Sequence, residues 1–284
     1  MLTLQKLFIM KTIIIPTDFS PTAVNAANYA ADMAVQINAG ILLVHVYQLP
    51  LALTDTPIIL VSIDELKESA EKKLAGLKEQ LTHITSGKIT IETEARLGIV
   101  SDELEEVCKR VQPFALVMGT KGHTTVERAL FGSNTLHVIN HLSWPIICVP
   151  QGKEYGSGIK KIGLACDLKE VVETTPIPVI RDFVQTFNSV LHVLNVSTEH
   201  RTDNPAASQQ FGLLRTALES LAPSYHFIED RDIEDGINRF AETNNLDLII
   251  TIPKKHKLMD KLFKKSSSKQ LVFESHVPVL CIHE

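Results

Sequence analysis

The sequence is poor in the features that mark zinc-binding, disulfide-stabilised and membrane proteins. Its four cysteines show no C-x-x-C spacing, and each lies in or beside an apolar run: Cys108, Cys148, Cys166 and Cys281. This placement predicts free, buried thiols in a reducing compartment rather than disulfides or zinc ligands. No run of about 18 or more apolar residues occurs, so we expect no membrane-spanning helix and a cytoplasmic location.

The chain also lacks a strong excess of charge and the common nucleotide fingerprints. Its net charge is −5, which gives no electrostatic reason to expect nucleic acid or an anionic membrane as a partner. Neither the P-loop lysine signature nor G-x-G-x-x-G is present, so GTPase, kinase and dehydrogenase hypotheses have no support. The N-terminus is superficially similar to a signal peptide but has no small-residue cleavage site. We expect it to lead into the first strand, with Met10 as a second candidate start and residues 1–9 as a frayed extension.

What the sequence does have is an internal repeat. Apolar strand-like runs alternate with helical segments, a pattern typical of right-handed βαβ units and parallel sheets. Ile162–Asp167 resembles Ile13–Asp18, and the run His276–Ile282 resembles Trp144–Val149. The order of motifs therefore predicts a tandem duplication.

The repeat divides the 284 residues into two predicted domains, residues 1–150 and 159–284. Residues 151–158 form a polar, glycine-bearing linker between them. His45 and His192 follow similar apolar residues in the second strand of each copy. We expect these two histidines to occupy equivalent positions and to share a structural role.

A glycine-punctuated loop in the first copy is typical of phosphate binding. Gly119 and Gly122 can adopt positive φ at the end of a strand and let a ligand approach the backbone. Gly132, Ser133 and Asn134 then open a helix, whose first N–H groups and dipole favour an anion. A long turn followed by a well-capped helix accounts for the same residues without a ligand.

Three motifs together resemble those of the universal stress proteins: the G-x-x-G-x9-G-S loop, the opening strand that ends in Asp18, and the second strand at Leu43–Val46. The resemblance implies an α/β fold of two tandem Rossmann-like domains, of the type called adenine nucleotide alpha hydrolase-like. Each domain would be a five-stranded parallel sheet in the order 3-2-1-4-5, flanked by helices. It also implies a role in stress response or signalling, with ATP, or else AMP or ADP, as the ligand, with or without Mg²⁺.

The resemblance also assigns roles to residues of the first domain. Asp18 would face the adenosine and Val46 would meet adenine through its backbone, while the glycines would line the ribose and phosphates. The full set of candidate nucleotide-binding residues is Pro16, Thr17, Asp18, Val46, Met118, Gly119, Gly122, His123, Gly132, Ser133 and Asn134. Ligands of open α/β sheets do bind where the strand order reverses. Asp18 could equally cap the following turn, and His123 could equally be exposed to solvent.

The second copy lacks these glycines. Thr251 and Lys254 are predicted at the positions of Gly119 and Gly122, and Lys264 or Lys265 at the position of the third glycine. We expect a degenerate site that binds no nucleotide. Binding of another anion by the lysines, or ordinary surface charge, are the alternatives.

Catalysis is doubtful, because no serine, cysteine or carboxylate stands in an arrangement that activates water. Slow, Mg²⁺-assisted ATP hydrolysis is the most we expect. His137 and His141 have zinc-ligand spacing, but Val138 replaces the glutamate of H-E-x-x-H, so surface histidines are favoured. A ligase or pyrophosphatase would need a glycine–serine loop near the N-terminus, which Pro16–Ser20 does not supply. The remaining rival is an interaction module with the same fold and no nucleotide.

The closing strands carry the prediction about assembly. In the universal stress proteins this strand pairs across a dimer, so we expect Ile146–Val149 and Val279–Ile282 to dock the two domains as an internal pseudo-dimer. A homodimer of the whole chain is a further possibility.

Overall fold

A computed structural model of the chain describes residues 10–49, 62–120, 133–197, 205–253, 271–272 and 274–284. Predictions for Gly122, His123 and Gly132 lie outside these residues, as do those for Lys254, Lys264 and Lys265. Ser133 is described as a helix residue only, without its side chain.

The described residues of the first half form five strands and four helices in alternation. In chain order they are β1 (Thr12–Pro16), α1 (Pro21–Ile37), β2 (Gly40–Tyr47), α2 (Ile63–Ile84), β3 (Ile91–Leu97), α3 (Val100–Val111), β4 (Ala115–Thr120), α4 (Ser133–His141) and β5 (Ile146–Pro150).

The described elements of the second half follow the same order, with the first helix divided in two. Its elements are β6 (Lys161–Ala165), α5 (Val171–Thr174), α6 (Ile177–Phe187), β7 (Val190–Ser197), α7 (Pro205–Leu218), a 3₁₀ turn (Glu219–Leu221), β8 (Ser224–Glu229), α8 (Ile233–Asn244), β9 (Leu248–Thr251) and β10 (Val279–Cys281). Pro176 separates α5 from α6, since proline has no N–H to continue a helix.

The ten strands of the described residues form one sheet in the order β3-β2-β1-β4-β5-β10-β9-β6-β7-β8. Each half contributes five parallel strands in the predicted order 3-2-1-4-5. The fold class expected from the sequence is therefore confirmed.

The two halves join at an antiparallel seam between β5 and β10. Leu280 faces Ile147 at its centre, and Cys148 and Cys281 face Val279 and Ile146 on either side. Ile146 faces Cys281, and their equivalents in the other half, Val279 and Cys148, also face each other. This two-fold pattern is that of an isologous interface. The pairing expected from the two closing runs is present, inside one chain.

Helix α1 shows how the sequence sets the packing. Ser20 accepts a hydrogen bond from Ala23 N as its N-cap, and Asn38 ends it in the left-handed conformation at φ 52°. Gly40, two residues further on, is the first residue of β2. The buried face is rich in alanine, which lets the helix lie close to β4 and β5.

The predicted linker is packed rather than loose. Asn25 Nδ2 on α1 donates to the carbonyls of Pro150 and Lys153 at 3.3 and 3.4 Å. Tyr155 is buried, contacts Tyr29 edge to face at 5.0 Å and hydrogen-bonds Gln36. These contacts hold the chain against α1 as it passes from one half to the other.

Among the described helices, none combines the length and the apolar character needed to cross a bilayer.

Candidate functional site

The candidate site lies at the carboxyl ends of β1 and β4, where the strand order of the first half reverses. The β1–β2 ladder runs along all of β1, from Thr12 to Pro16. The β1–β4 ladder contains only the pairs of Ile13 and Ile14. The two strands therefore separate before their carboxyl ends, which is where open α/β sheets bind ligands.

The turn after β1 is built by side chains that accept hydrogen bonds from the backbone two residues on. Thr17 Oγ1 accepts from Phe19 N at 3.0 Å, and Asp18 Oδ1 accepts from Ser20 N at 2.9 Å. Phe19 has φ 63°, a left-handed conformation that is unfavourable for a residue with a Cβ. The two hydrogen bonds stabilise it here. Asp18 therefore does cap the turn, and its side chain is exposed at the same time.

Gly119 has a different role from the one that its motif predicts. It is a residue of β4 and does not have a positive φ, so the expected left-handed turn at this position is wrong. A Cβ here would lie 2.5 Å from Thr22 O and 2.6 Å from Thr22 Cγ2 in the first turn of α1. The missing side chain is what allows α1 to approach the sheet.

The N-terminus of α4 reaches the same point from the other direction. Thr135, buried in the first turn of α4, donates through Oγ1 to Gly119 O at 3.4 Å. Asn134 beside it is exposed. The N-termini of α1 and α4 therefore converge on Gly119, and the first-turn N–H groups of helices favour anions.

The remaining candidates near this point differ in exposure. The Met118 side chain is buried in the core, so only its backbone is available to a ligand. Val46 and Pro16 are half-buried at the ends of β2 and β1.

His137 and His141 are exposed on α4. His141 Nε2 lies 3.2 Å from Glu105 Oε2 on α3, and hydrogen bonds from Lys109 and His141 lower the pKa of the Glu105 carboxyl. Within the described ranges, no three side chains of metal-ligating type come together.

Comparison with known proteins identifies the family. The model of the universal stress protein family matches residues 10–150 and 179–283, most of the chain. The chain belongs to the universal stress protein family. The resemblance inferred from its three motifs is thereby confirmed.

Two universal stress proteins of Methanocaldococcus jannaschii each align with about half of the chain. MJ0531 is 29% identical over 153 residues, which cover 51% of this chain and 84% of that protein. MJ0577 is 26% identical over 152 residues, which cover 49% and 94%. A crystal structure of a universal stress protein from Archaeoglobus fulgidus covers 97% of this chain and 99% of its own, with a TM-score of 0.74 and 17% identity. That likeness shows the shared fold of the whole chain.

Strand ladders give the equivalences between the two universal stress protein copies. The last residue of β1 pairs with Val44, and the last residue of β6 pairs with Leu194. Val44 and Leu194 are therefore equivalent, and so are the residues that follow them, His45 and Asn195. The prediction that His45 and His192 are equivalent is wrong, because similar apolar runs were aligned three residues out of register.

His192 instead occupies the position of Leu42, against α8. Its Nδ1 lies 3.0 Å from His226 Nε2 on β8, and the ring of Phe240 lies 4.6 Å from that of His226. Burial, His226 and Lys161 lower the pKa of His192, and burial lowers the pKa of His226. This histidine pair is specific to the second copy and lies away from the turn after β6.

The same method corrects the predicted equivalent of Gly119. Val117 pairs with Ile147 and Ile250 pairs with Leu280, and these two partners face each other at the centre of the seam. Val117 and Ile250 are therefore equivalent. Counting two residues on from each aligns Gly119 with Ile252 rather than with Thr251. The second copy carries the side chain of Ile252 here, and in that copy the helix equivalent to α1 is divided into α5 and α6.

Proposed function

We propose that this protein binds ATP or a related adenine nucleotide in its first half and acts in stress response or signalling. The observation that carries the proposal is the convergence of two helix N-termini on Gly119, at the point where β1 and β4 separate. Membership of the universal stress protein family supports an adenine nucleotide as the anion.

The roles inferred from the motifs complete the proposed site. Asp18 and Val46 would contact the adenosine, Gly119 and Gly122 would line the ribose and phosphates, and Gly132, Ser133 and Asn134 would hold phosphate oxygens. Where Mg²⁺ accompanies the nucleotide, the phosphates would bind it.

Analysis of copurified nucleotide tests the assignment. The purified protein is denatured and the released small molecules are identified, for the wild type and for Gly122→Lys and Ser133→Lys. We expect an adenine nucleotide from the wild type and loss of most of it from both variants, because a lysine side chain would occupy the phosphate position. Gly76→Lys, at an exposed and uncrowded position of α2, serves as the control and should retain the nucleotide. Equal retention by all four proteins contradicts the site.

A second candidate function applies to the second half. Its turn after β6 is built in the same way: Asp167 Oδ1 accepts from Lys169 N at 3.1 Å, and Leu168 has φ 55°. The turn therefore forms in a copy whose loop has no glycines, and it is not by itself a sign of nucleotide binding. We propose that this half binds no nucleotide and serves as an interaction partner for the first. One nucleotide per chain is the expected result, and two per chain would refute this proposal.

A further inference from the structure

The residue before the aspartate is tied to the neighbouring strand in the same way in both halves. In the first half, Thr17 N donates to Val44 O at 2.9 Å. In the second, Cys166 N donates to Leu194 O at 2.9 Å. These bonds extend the ladder by one step past the end of the first strand of each copy, so they fix where the turn begins.

The carbonyl of the same residue is held by a side chain from the next position on the neighbouring strand. His45 Nδ1 lies 2.7 Å from Thr17 O, and Asn195 Nδ2 donates to Cys166 O at 2.9 Å. A carbonyl oxygen only accepts hydrogen bonds, so His45 Nδ1 must carry a hydrogen. An imidazole and a carboxamide have different shapes, and the N–H donor is the property that they share.

We propose that His45 is a positioning residue of the nucleotide site. By donating to Thr17 O it fixes the backbone from which Asp18 projects and keeps the turn open in its left-handed form at Phe19. This inference rests on the proposed function, since it concerns the affinity of that site. The second copy forms the same turn with a side-chain N–H donor at this position that is not an imidazole.

The ring contact of His45 is the competing explanation. Its imidazole lies 4.6 Å from the ring of Phe19, so packing rather than hydrogen bonding could hold the turn. Asparagine has no ring, and the second copy has Leu168 where the first has Phe19. Replacing His45 by asparagine therefore keeps an N–H donor and removes the ring, which distinguishes the two explanations.

The test compares three variants of the full-length chain, freed of bound nucleotide, by titration calorimetry with ATP and Mg²⁺ and by thermal unfolding. His45→Leu removes the donor and should weaken ATP binding by about 10-fold, because a buried carbonyl loses its partner and the turn is no longer fixed. His45→Asn should bind within about 3-fold of the wild type. Asn195→Leu deletes the equivalent bond in the second half, so it should lower the unfolding temperature like His45→Leu and leave ATP affinity unchanged.

A spectroscopic measurement checks the geometry directly. Long-range ¹⁵N–¹H correlation should show His45 of the wild type with its hydrogen on Nδ1. A neutral ring with the hydrogen on Nε2 would overturn the inference.

The binding outcomes separate the two proposals. If the wild type binds ATP and His45→Leu binds equally well, positioning by His45 is refuted while the proposed function stands. If His45→Asn is as weak as His45→Leu, the donor role is refuted in favour of the ring. If the wild type binds no adenine nucleotide, the proposed function fails and this inference with it.

Discussion

Gly119 shows that one residue of a ligand-binding motif can be required by packing. The sequence predicts a glycine that opens the backbone to a ligand, whereas the structure places Thr22 of α1 against it. Approach of a ligand and packing of α1 impose the same requirement, because a Cβ at position 119 would obstruct both. Sequence reasoning could not distinguish them, since the close approach of α1 depends on residues distant in the chain.

Gly119→Ala should lower the free energy of unfolding by about 1–3 kcal/mol, because the added methyl overpacks against Thr22. Gly76→Ala is the matched control: its methyl group would have no described neighbour within 4 Å, and alanine should stabilise α2 by about 0.5–1 kcal/mol. Urea unfolding measures both changes. Equal effects of the two substitutions would contradict the packing role.

The His192–His226 pair should make stability depend on pH. The pKa of each histidine is lower in the folded state than its ordinary value of about 6.5. At pH values between the folded pKa and about 6.5, the unfolded chain therefore binds more protons than the folded protein does. Stability is therefore full above pH of about 6.5 and falls as the pH drops through the folded pKa values. Lys161 adds repulsion to the charged form of His192.

Replacing His192 by leucine, the residue at the equivalent position of the first copy, should reduce the loss of unfolding free energy between pH 7 and pH 5. Chemical denaturation at each pH measures the loss. The same pH dependence in the variant and the wild type would show that the pair makes no contribution.

At the scale of elements, periodicity and turn residues predict most of the helices and strands. Alternating apolar and polar residues predict a strand over Lys88–Ala95, whereas β3 spans Ile91–Leu97, and β4 continues through Gly119 to Thr120. These boundaries depend on which backbone groups find a partner in the neighbouring strand, which local sequence does not specify. The misplaced equivalence of His192 has the same origin, since register follows from the ladder.

The helix caps give a prediction at this scale. Ser62 and Glu65 form a capping box at the start of α2, with both reciprocal hydrogen bonds present. Ser62→Ala should lower the free energy of unfolding by about 1 kcal/mol. Ile99, at the N-cap of α3, makes no capping bond and is mostly exposed, so Ile99→Ser should have the opposite sign. Thermal and urea unfolding measure both; equal signs would contradict the capping argument.

At the scale of the whole molecule, the halves are coupled by more than the seam. Phe114 of the first half stacks on Phe183 of α6 with centroids 4.4 Å apart. Lys11 Nζ lies over the Phe114 ring and 2.7 Å from Asp182 Oδ2. Phe183 is almost fully buried, whereas the ion pair is exposed to solvent. Apolar contact should therefore dominate the coupling between the halves.

Phe183→Ala should cost about 3–5 kcal/mol of unfolding free energy, because it removes a large buried ring from both halves at once. Asp182→Asn removes the exposed ion pair and should cost less than about 1 kcal/mol. Urea unfolding of the two variants ranks the contributions. A larger effect of Asp182→Asn would mean that charge, not packing, holds the halves together.

The duplication could be predicted from the repeated motifs, and the sheet order and the pairing of the closing strands from the family resemblance that those motifs carry. The detailed site could be predicted only in part. The motifs point to Asp18 and to the start of α4, whereas no motif indicates Thr135 or the contact that His45 makes. Their hydrogen bonds join segments distant in sequence, and no spacing rule reveals them.

Titration calorimetry of the nucleotide-free, full-length chain with ATP and Mg²⁺ tests the central claim most directly. The account predicts saturable binding at one site per chain, lost in Ser133→Lys and unchanged in Asn195→Leu. Absence of binding heat together with no rise in unfolding temperature would contradict it.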